Sequence, residues 1–277
     1  MQIEILGDVP FAFQKEIRAE LEGCYRTLLI PQGRASISAP YVKVCLLDTV
    51  ERLREFLAKE KEEMGVGPSE SESFLALHDA WRGIPRITVC LERIEGLPRR
   101  LCQGALHQMV AHTILHGSTK YYLFKLSRPV LSKGRERGLA TPVLQKLLYL
   151  VAIAVKDYEA VRLLIEHGCM ESQTALALHQ LEISQEDRMI WSLARSNPQT
   201  RLLYLTAQLK PLLFAWPLAE RLLSPQLILS KVQALLTSLP SEEGGKLSSL
   251  TGRIALQLGQ DTHRNVEIAL QLTLETL

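Results

Sequence analysis

Charge of one sign is missing from this chain. Its 277 residues carry 32 lysines and arginines against 30 aspartates and glutamates, a net of +2. So balanced a chain is not expected to be a dedicated nucleic-acid binder. Long hydrophobic runs are missing too. The most apolar stretch, Leu147 to Val155 (LLYLVAIAV), is bounded by Lys146 and Lys156. It falls short of the roughly 20 residues that a bilayer demands, so no membrane association is expected. The N-terminal MQIEILGDVPFAF has no basic stretch leading into an apolar one, and no signal peptide is expected. Cysteine is sparse: Cys24, Cys45, Cys90, Cys102 and Cys169 are scattered, odd in number and form no CxxC pair. That fits a reduced, cytoplasmic compartment with the cysteines as small core residues. Nucleophile elbows, P-loops and dinucleotide fingerprints are also absent, which leaves those enzyme classes without support.

What is present is enough apolar sequence, 47%, to bury a core in one large or two ordinary domains. The first part reads as mixed α/β. Strands are expected at Gln2–Leu6 and Tyr41–Leu47, and helices over Phe13–Cys24 and from Asp48 or Thr49 to a stop at Gly65. Residues 67–73 read as a polar loop. Phe74 to Glu92 reads as a loop, pinned by Asp79 and Trp81, that enters a strand at Pro85. Ser118 to Gly138 reads as a solvated basic loop carrying Lys120, Lys125, Arg128, Lys133, Arg135 and Arg137. A long helix follows from Thr141, with Pro142 in its first turn, to Gly168. Only helices are expected beyond it: Ser172–Leu181, Gln185–Arg195, Gln199–Phe214, Pro217–Leu223, Pro225–Leu239, Leu247–Leu258 and a final amphipathic one in 261–277. A loop at Gly244–Gly245 separates two of these.

The centre of the sequence is Leu101 to Tyr122, LCQGALHQMVAHTILHGSTKYY. It reads as one apolar helix ending at Gly117 and holds His107, His112 and His116. A zinc-peptidase helix needs HExxH: two imidazoles on one face for the metal and a Glu to activate its water. No such motif exists here. His107 and His112 lie about 140° apart around a helix and do not easily share a metal. His112 and His116 are four apart and share a face. A histidine next to a helix stop, like His116, also serves as a C-terminal cap.

The flanks nevertheless carry a likeness. AHTILHGSTKYY resembles the AHxxLHGSxxYY end of a group of small zincin-like (HExxH-type, gluzincin-like) metallopeptidases whose helix reads HELAHSxLHGS. HDAWRGIPRITVC resembles the loop and strand before that helix, and VKDYEAVRLL resembles the second helix, which supplies an acidic third ligand. The likeness spans roughly Val42 to Cys169. It implies an α+β zincin-like domain over 1–169, a small mixed sheet with an active-site-type helix pair, and an all-helical region over 170–277. In that register His112 falls on the second metal histidine, Gln108 on the first and Met109 on the general base. A neutral amide is a poor zinc ligand and a thioether takes no proton, so the resemblance implies a degenerate member. A π-type bulge would bring His107 to the first position instead.

Asp157, whose helical neighbours Ile153, Ala154, Ala160 and Val161 are all apolar, is the candidate third ligand or a buried partner for His112. Glu159, beside Lys156 and Arg162, reads as a solvated salt bridge and stands in reserve. His78, Trp81, Tyr121 and Tyr122 are expected to wall the cleft. Three functions follow: a catalytically inactive binding or scaffold protein with no cofactor and a protein or peptide partner; an active zinc-dependent hydrolase using His112 and His116 with Asp157 or Glu159; or an interaction module working through the Leu-rich helices of Gln199 to Leu239.

Overall fold

The computed structural model describes residues 1–29, 41–64 and 74–277. The expected stop at Gly65 and the polar loop at 67–73 lie outside the described residues. The protein is α+β, with one small mixed sheet and many helices. It divides into two compact units, one of 1–122 with 166–173, the other of 123–165 with 174–277. The long central helix therefore runs mostly in the second unit, where the sequence had placed it in a first domain ending at Cys169.

The first unit holds strands β1 (Gln2–Leu6), β2 (Lys43–Leu47), β3 (Ala76–Asp79) and β4 (Arg86–Cys90) in the order β1-β2-β4-β3. β1, β2 and β4 run parallel, and β3 returns antiparallel to β4. Every described residue of β4, and all of β2 after Lys43, is buried, as a strand covered on both faces requires. Alternation assigns the faces. Cys45, Leu47 and Cys90 pack with Leu53 and Leu57 of α2 (Val50–Met64). Val44, Leu46, Ile87 and Val89 fall on the opposite face, where α4 (Arg99–His116) packs against β3 and β4. Helix α1 (Phe11–Leu29) buries Ile17, Leu21, Cys24, Tyr25 and Leu28, one stripe at helical spacing, and packs on α4. A short helix, α3 (Leu91–Ile94), links β4 to α4.

Two expectations about loops are corrected. Phe74 to Pro85 is not loop throughout: Ala76–Asp79 forms β3, joined to β4 by a tight turn in which Gly83 takes φ +81°. Its strand character comes from pairing with β4, which four residues do not announce. Residues 118–138 are not an open basic loop either. They contain a 3-10 turn, Thr119–Tyr122, and helix α5 (Arg128–Glu136) with Pro129 in its first turn.

The second unit contains α5, most of α6 (Thr141–Glu166), the rest of α7 (Met170–Gln180), α8 (Gln185–Ala194), α9 (Pro198–Ala207), α10 (Leu209–Arg221), α11 (Gln226–Thr237), α12 (Ser241–Ala255) and α13 (Thr262–Thr276). α10 packs against α9, α11 and α12, and α13 against α12 and α5. Two breaks expected here are absent. Pro217 lies inside α10, where burial of Leu213, Phe214, Ala215 and Leu218 offsets its missing hydrogen bond. Gly244 and Gly245 lie inside α12 rather than in a loop. A Cβ on Gly244 would sit 2.5 Å from the Leu236 carbonyl oxygen of α11, so the glycine allows the two backbones to approach closely. A break that was not expected falls at Gln208, between α9 and α10. No helix among the described residues is long and apolar enough to cross a membrane.

Candidate functional site

Helix α4 is regular from Arg99 to His116. It contains no π turn, so His107 does not slip into the first ligand position. It closes at Gly117, where a Cβ would stand 2.2 Å from the Thr113 carbonyl oxygen. The chain then turns at once through Thr119–Tyr122 and brings both tyrosines back to the histidines. Tyr121 meets the His116 ring edge-on at 5.2 Å. The Tyr122 hydroxyl lies 2.8 Å from His78 Nδ1, and burial raises the Tyr122 phenol above its usual range, so it sits there as a neutral O–H.

His78 arrives through the sheet register. It pairs with Ile87, whose side chain faces α4, so His78 faces α4 as well. Its ring stacks on that of His112 with centroids 5.9 Å apart. Trp81 meets Tyr122 edge-on at 6.4 Å. The four expected cleft residues are thus gathered around His112 and His116.

Asp79, one residue on, faces the opposite way. It accepts a hydrogen bond from Arg86 Nε at 2.9 Å, and Arg86 also donates to Glu60 of α2 at 2.9 Å. The acid nearest in sequence to the histidine cluster is therefore spent on the other side of the sheet.

His112 and His116 approach each other through their Nδ1 atoms at 3.1 Å, and both are buried. One Nδ1 must carry the proton and the other must accept it. Gln108 and Met109 are buried one turn before, and the Met109 carbonyl accepts from Thr113 Oγ1 at 2.8 Å. Nothing at the Met109 position accepts a proton from water.

The two acids considered as third ligands belong to the second unit. Asp157 is buried, as its apolar neighbours predict, and Lys210 Nζ stands 3.7 Å from its carboxylate. The expectation for Glu159 is overturned. It is not solvated but a buried carboxylate that accepts Thr262 Oγ1 at 2.8 Å and Asn265 Nδ2 at 2.6 Å. Arg162 donates to the Gly259 carbonyl. Among the described residues no group of three or more His, Cys, Asp or Glu side chains is arranged to hold a metal ion.

His107 occupies a different face of α4. Its Nε2 lies 2.6 Å from Glu20 of α1, and its Nδ1 lies 3.3 Å from Ser172 Oγ. Burial lowers the imidazole, but hydrogen bonds to Cys169 and Glu20 outweigh it and hold His107 above its ordinary value. Sequence reasoning missed this arrangement because Glu20 and His107 are 87 residues apart. The only local signal was a carboxylate on the apolar-striped α1. Comparisons of this chain with protein-family models, with curated proteins and with solved structures return no match.

Proposed function

We propose that this protein is a degenerate relative of the zincin-like metallopeptidases, without peptidase chemistry, that binds a protein or peptide segment beside the His112 cluster. The observation that carries the reading is buried Gln108 and Met109 one turn before His112, an amide and a thioether in the positions of the first metal histidine and the general base. In the register of the resemblance, that leaves the metal with one histidine and the water with no base. β3 adds a means of binding. It ends the sheet, pairs with β4 alone among the described strands, and carries His78 beside Trp81 and Tyr122. An extended peptide can add to such an edge through main-chain hydrogen bonds. Free thiols at all five cysteines accord with a cytoplasmic location, and the function requires no cofactor.

The test is metal content and hydrolysis on the same preparation. After purification with excess zinc, the expected result is far less than one zinc per chain and no metal-dependent cleavage of a peptide library. Stoichiometric zinc that His112→Ala abolishes would establish the active hydrolase instead, with His112, His116 and an acid such as Asp157 or Glu159 as ligands.

A second reading rests on the exposed large apolar side chains of the second unit, Met189, Ile190 and Leu193 on α8 and Leu227 and Leu229 on α11. These suit docking of another protein. A strictly monomeric protein whose pull-down partners are unchanged by Leu193→Glu and Leu227→Glu together would remove that reading.

A further inference from the structure

The second unit contains a cleft that none of the readings above uses. It lies where the link from α5 to α6, the start of α9 and the end of α13 come together, and its volume is about 370 Å³. Arg137 and Arg201 line it, with Asn197 and Gln199 beside them. Leu202 and Leu205 line it too and are buried, which gives the cleft an apolar floor. No acidic or aromatic side chain among the described residues lines it. Two cations on one wall repel, and a bound anion removes that cost.

Neither arginine is hydrogen-bonded to a carboxylate among the described residues. Arg137 follows the last turn of α5 and donates Nη1 to the Leu274 carbonyl at 2.5 Å. That acceptor is neutral. It fixes the side chain without cancelling the charge, and the rest of the N–H fork stays available. Arg201 stands near the N-terminus of α9, whose first turn has no acidic residue. That end of a helix carries partial positive charge, so stability alone disfavours a cation there. Its ion-pair partner, Glu243, is 3.9 Å away, beyond hydrogen-bond range. The helix end itself offers no donor: the Asn197 side chain accepts from the Gln199 and Thr200 N–H groups, and the Asn197 carbonyl from that of Arg201. Recognition of an anion therefore falls to the two guanidinium groups.

We propose that this cleft reversibly binds a compact phosphate monoester, with the two arginines on the phosphate and the ester group on the leucine floor. A guanidinium presents paired N–H groups that match phosphate oxygens. Two of them match the nearly double negative charge of a monoester at neutral pH, whereas a monocarboxylate leaves one in excess. The volume is at the small end of ligand sites. A nucleobase finds no aromatic ring there to stack on, which favours a small ester group.

The test is isothermal titration of the full chain with phenyl phosphate at low salt. Saturable binding of one molecule per chain is expected, weakening as ionic strength rises. Inorganic phosphate, which lacks the apolar group, and benzoate, which lacks the second charge, should each bind roughly tenfold more weakly. Arg137→Gln and Arg201→Gln should each weaken phenyl phosphate roughly tenfold or more. Arg264→Gln, on α13 but outside the lining, should leave it unchanged. Arg201→Gln takes a cation from a positive helix end, so its melting temperature without ligand should not fall, and a folding defect in Arg137→Gln does not shield the proposal. No saturable binding by the wild type would overturn it. So would an equal loss with Arg264→Gln, which marks general charge attraction, or benzoate binding as tightly as phenyl phosphate. Binding that begins only when Leu277, which borders the cleft, is deleted would overturn it too, by showing that the chain fills the cleft itself.

Discussion

Helix α4 presents histidine to two different neighbourhoods, and the contrast between them says more than either alone. On one face, His112 and His116 meet each other, His78 and two tyrosines. On another, His107 meets a carboxylate and a hydroxyl. The first set is rich in rings. The second contains an acid able to hold a protonated imidazole. The resemblance drew attention to the first face, yet the imidazole held by Glu20 sits on the second. An imidazole becomes a chemical group through what it touches.

The largest effect that would break this contrast comes from Arg86. It neutralises Asp79 and Glu60 behind β3 and so holds the strand that delivers His78. Arg86→Met leaves a buried carboxylate unpaired, and a loss of about 3–5 kcal/mol in urea unfolding is expected, with the His112 face disordered first. A retained His78–His112 contact in such a variant would show that β3 is positioned by other means.

A smaller effect sharpens the other side. Glu20→Gln removes the charge that faces His107 Nε2. About 1–2 kcal/mol of stability should be lost near pH 6, and the His107 midpoint in an NMR titration should fall. Because the folded value is raised above the unfolded one near 6.5, the stabilisation is complete below that pH and disappears as pH rises through the folded midpoint. Glu20→Gln should therefore flatten the pH dependence of stability in that window, and an unchanged profile would count against the pairing.

The smallest effect is Tyr122→Phe. It deletes the hydroxyl at 2.8 Å from His78 Nδ1 and should cost about 0.5–1.5 kcal/mol, while leaving the His107 titration unaltered. A shift in the His107 midpoint would show that the two faces communicate.

Much of the fold was legible where the periodic signal was long. The apolar helix up to Gly117 and the helix from Thr141 emerge from spacing and caps, β1 and β4 from alternation, and β2 from a β-branched apolar run. The failures share a cause, which is that a distant partner overrides a local rule. β3 is too short to be identified without β4. Pro217 stays helical because its neighbours are buried, and Gly244 is helical because α11 crosses there. Asp157 was correctly placed on a buried stripe. Glu159 was misplaced because α13 supplies Thr262 and Asn265 to it, a fact that no i±3 or i±4 neighbour encodes. The histidine cluster was half visible, since His112 and His116 share a helix face by spacing alone. Its third ring depended on a hairpin register that sequence does not state.

That register has a consequence of its own. Side chains alternate along β3, so Asp79 and His78 are separated by a single step of strand slippage. Shortening the turn between β3 and β4 so that Asp79 lies opposite Ile87 would swing a carboxylate toward the imidazole pair and carry His78 away from it. Whether this side of β3 offers α4 an imidazole or a carboxylate thus turns on one peptide unit in a six-residue turn, a place where an insertion or deletion rewrites chemistry without touching a residue of α4.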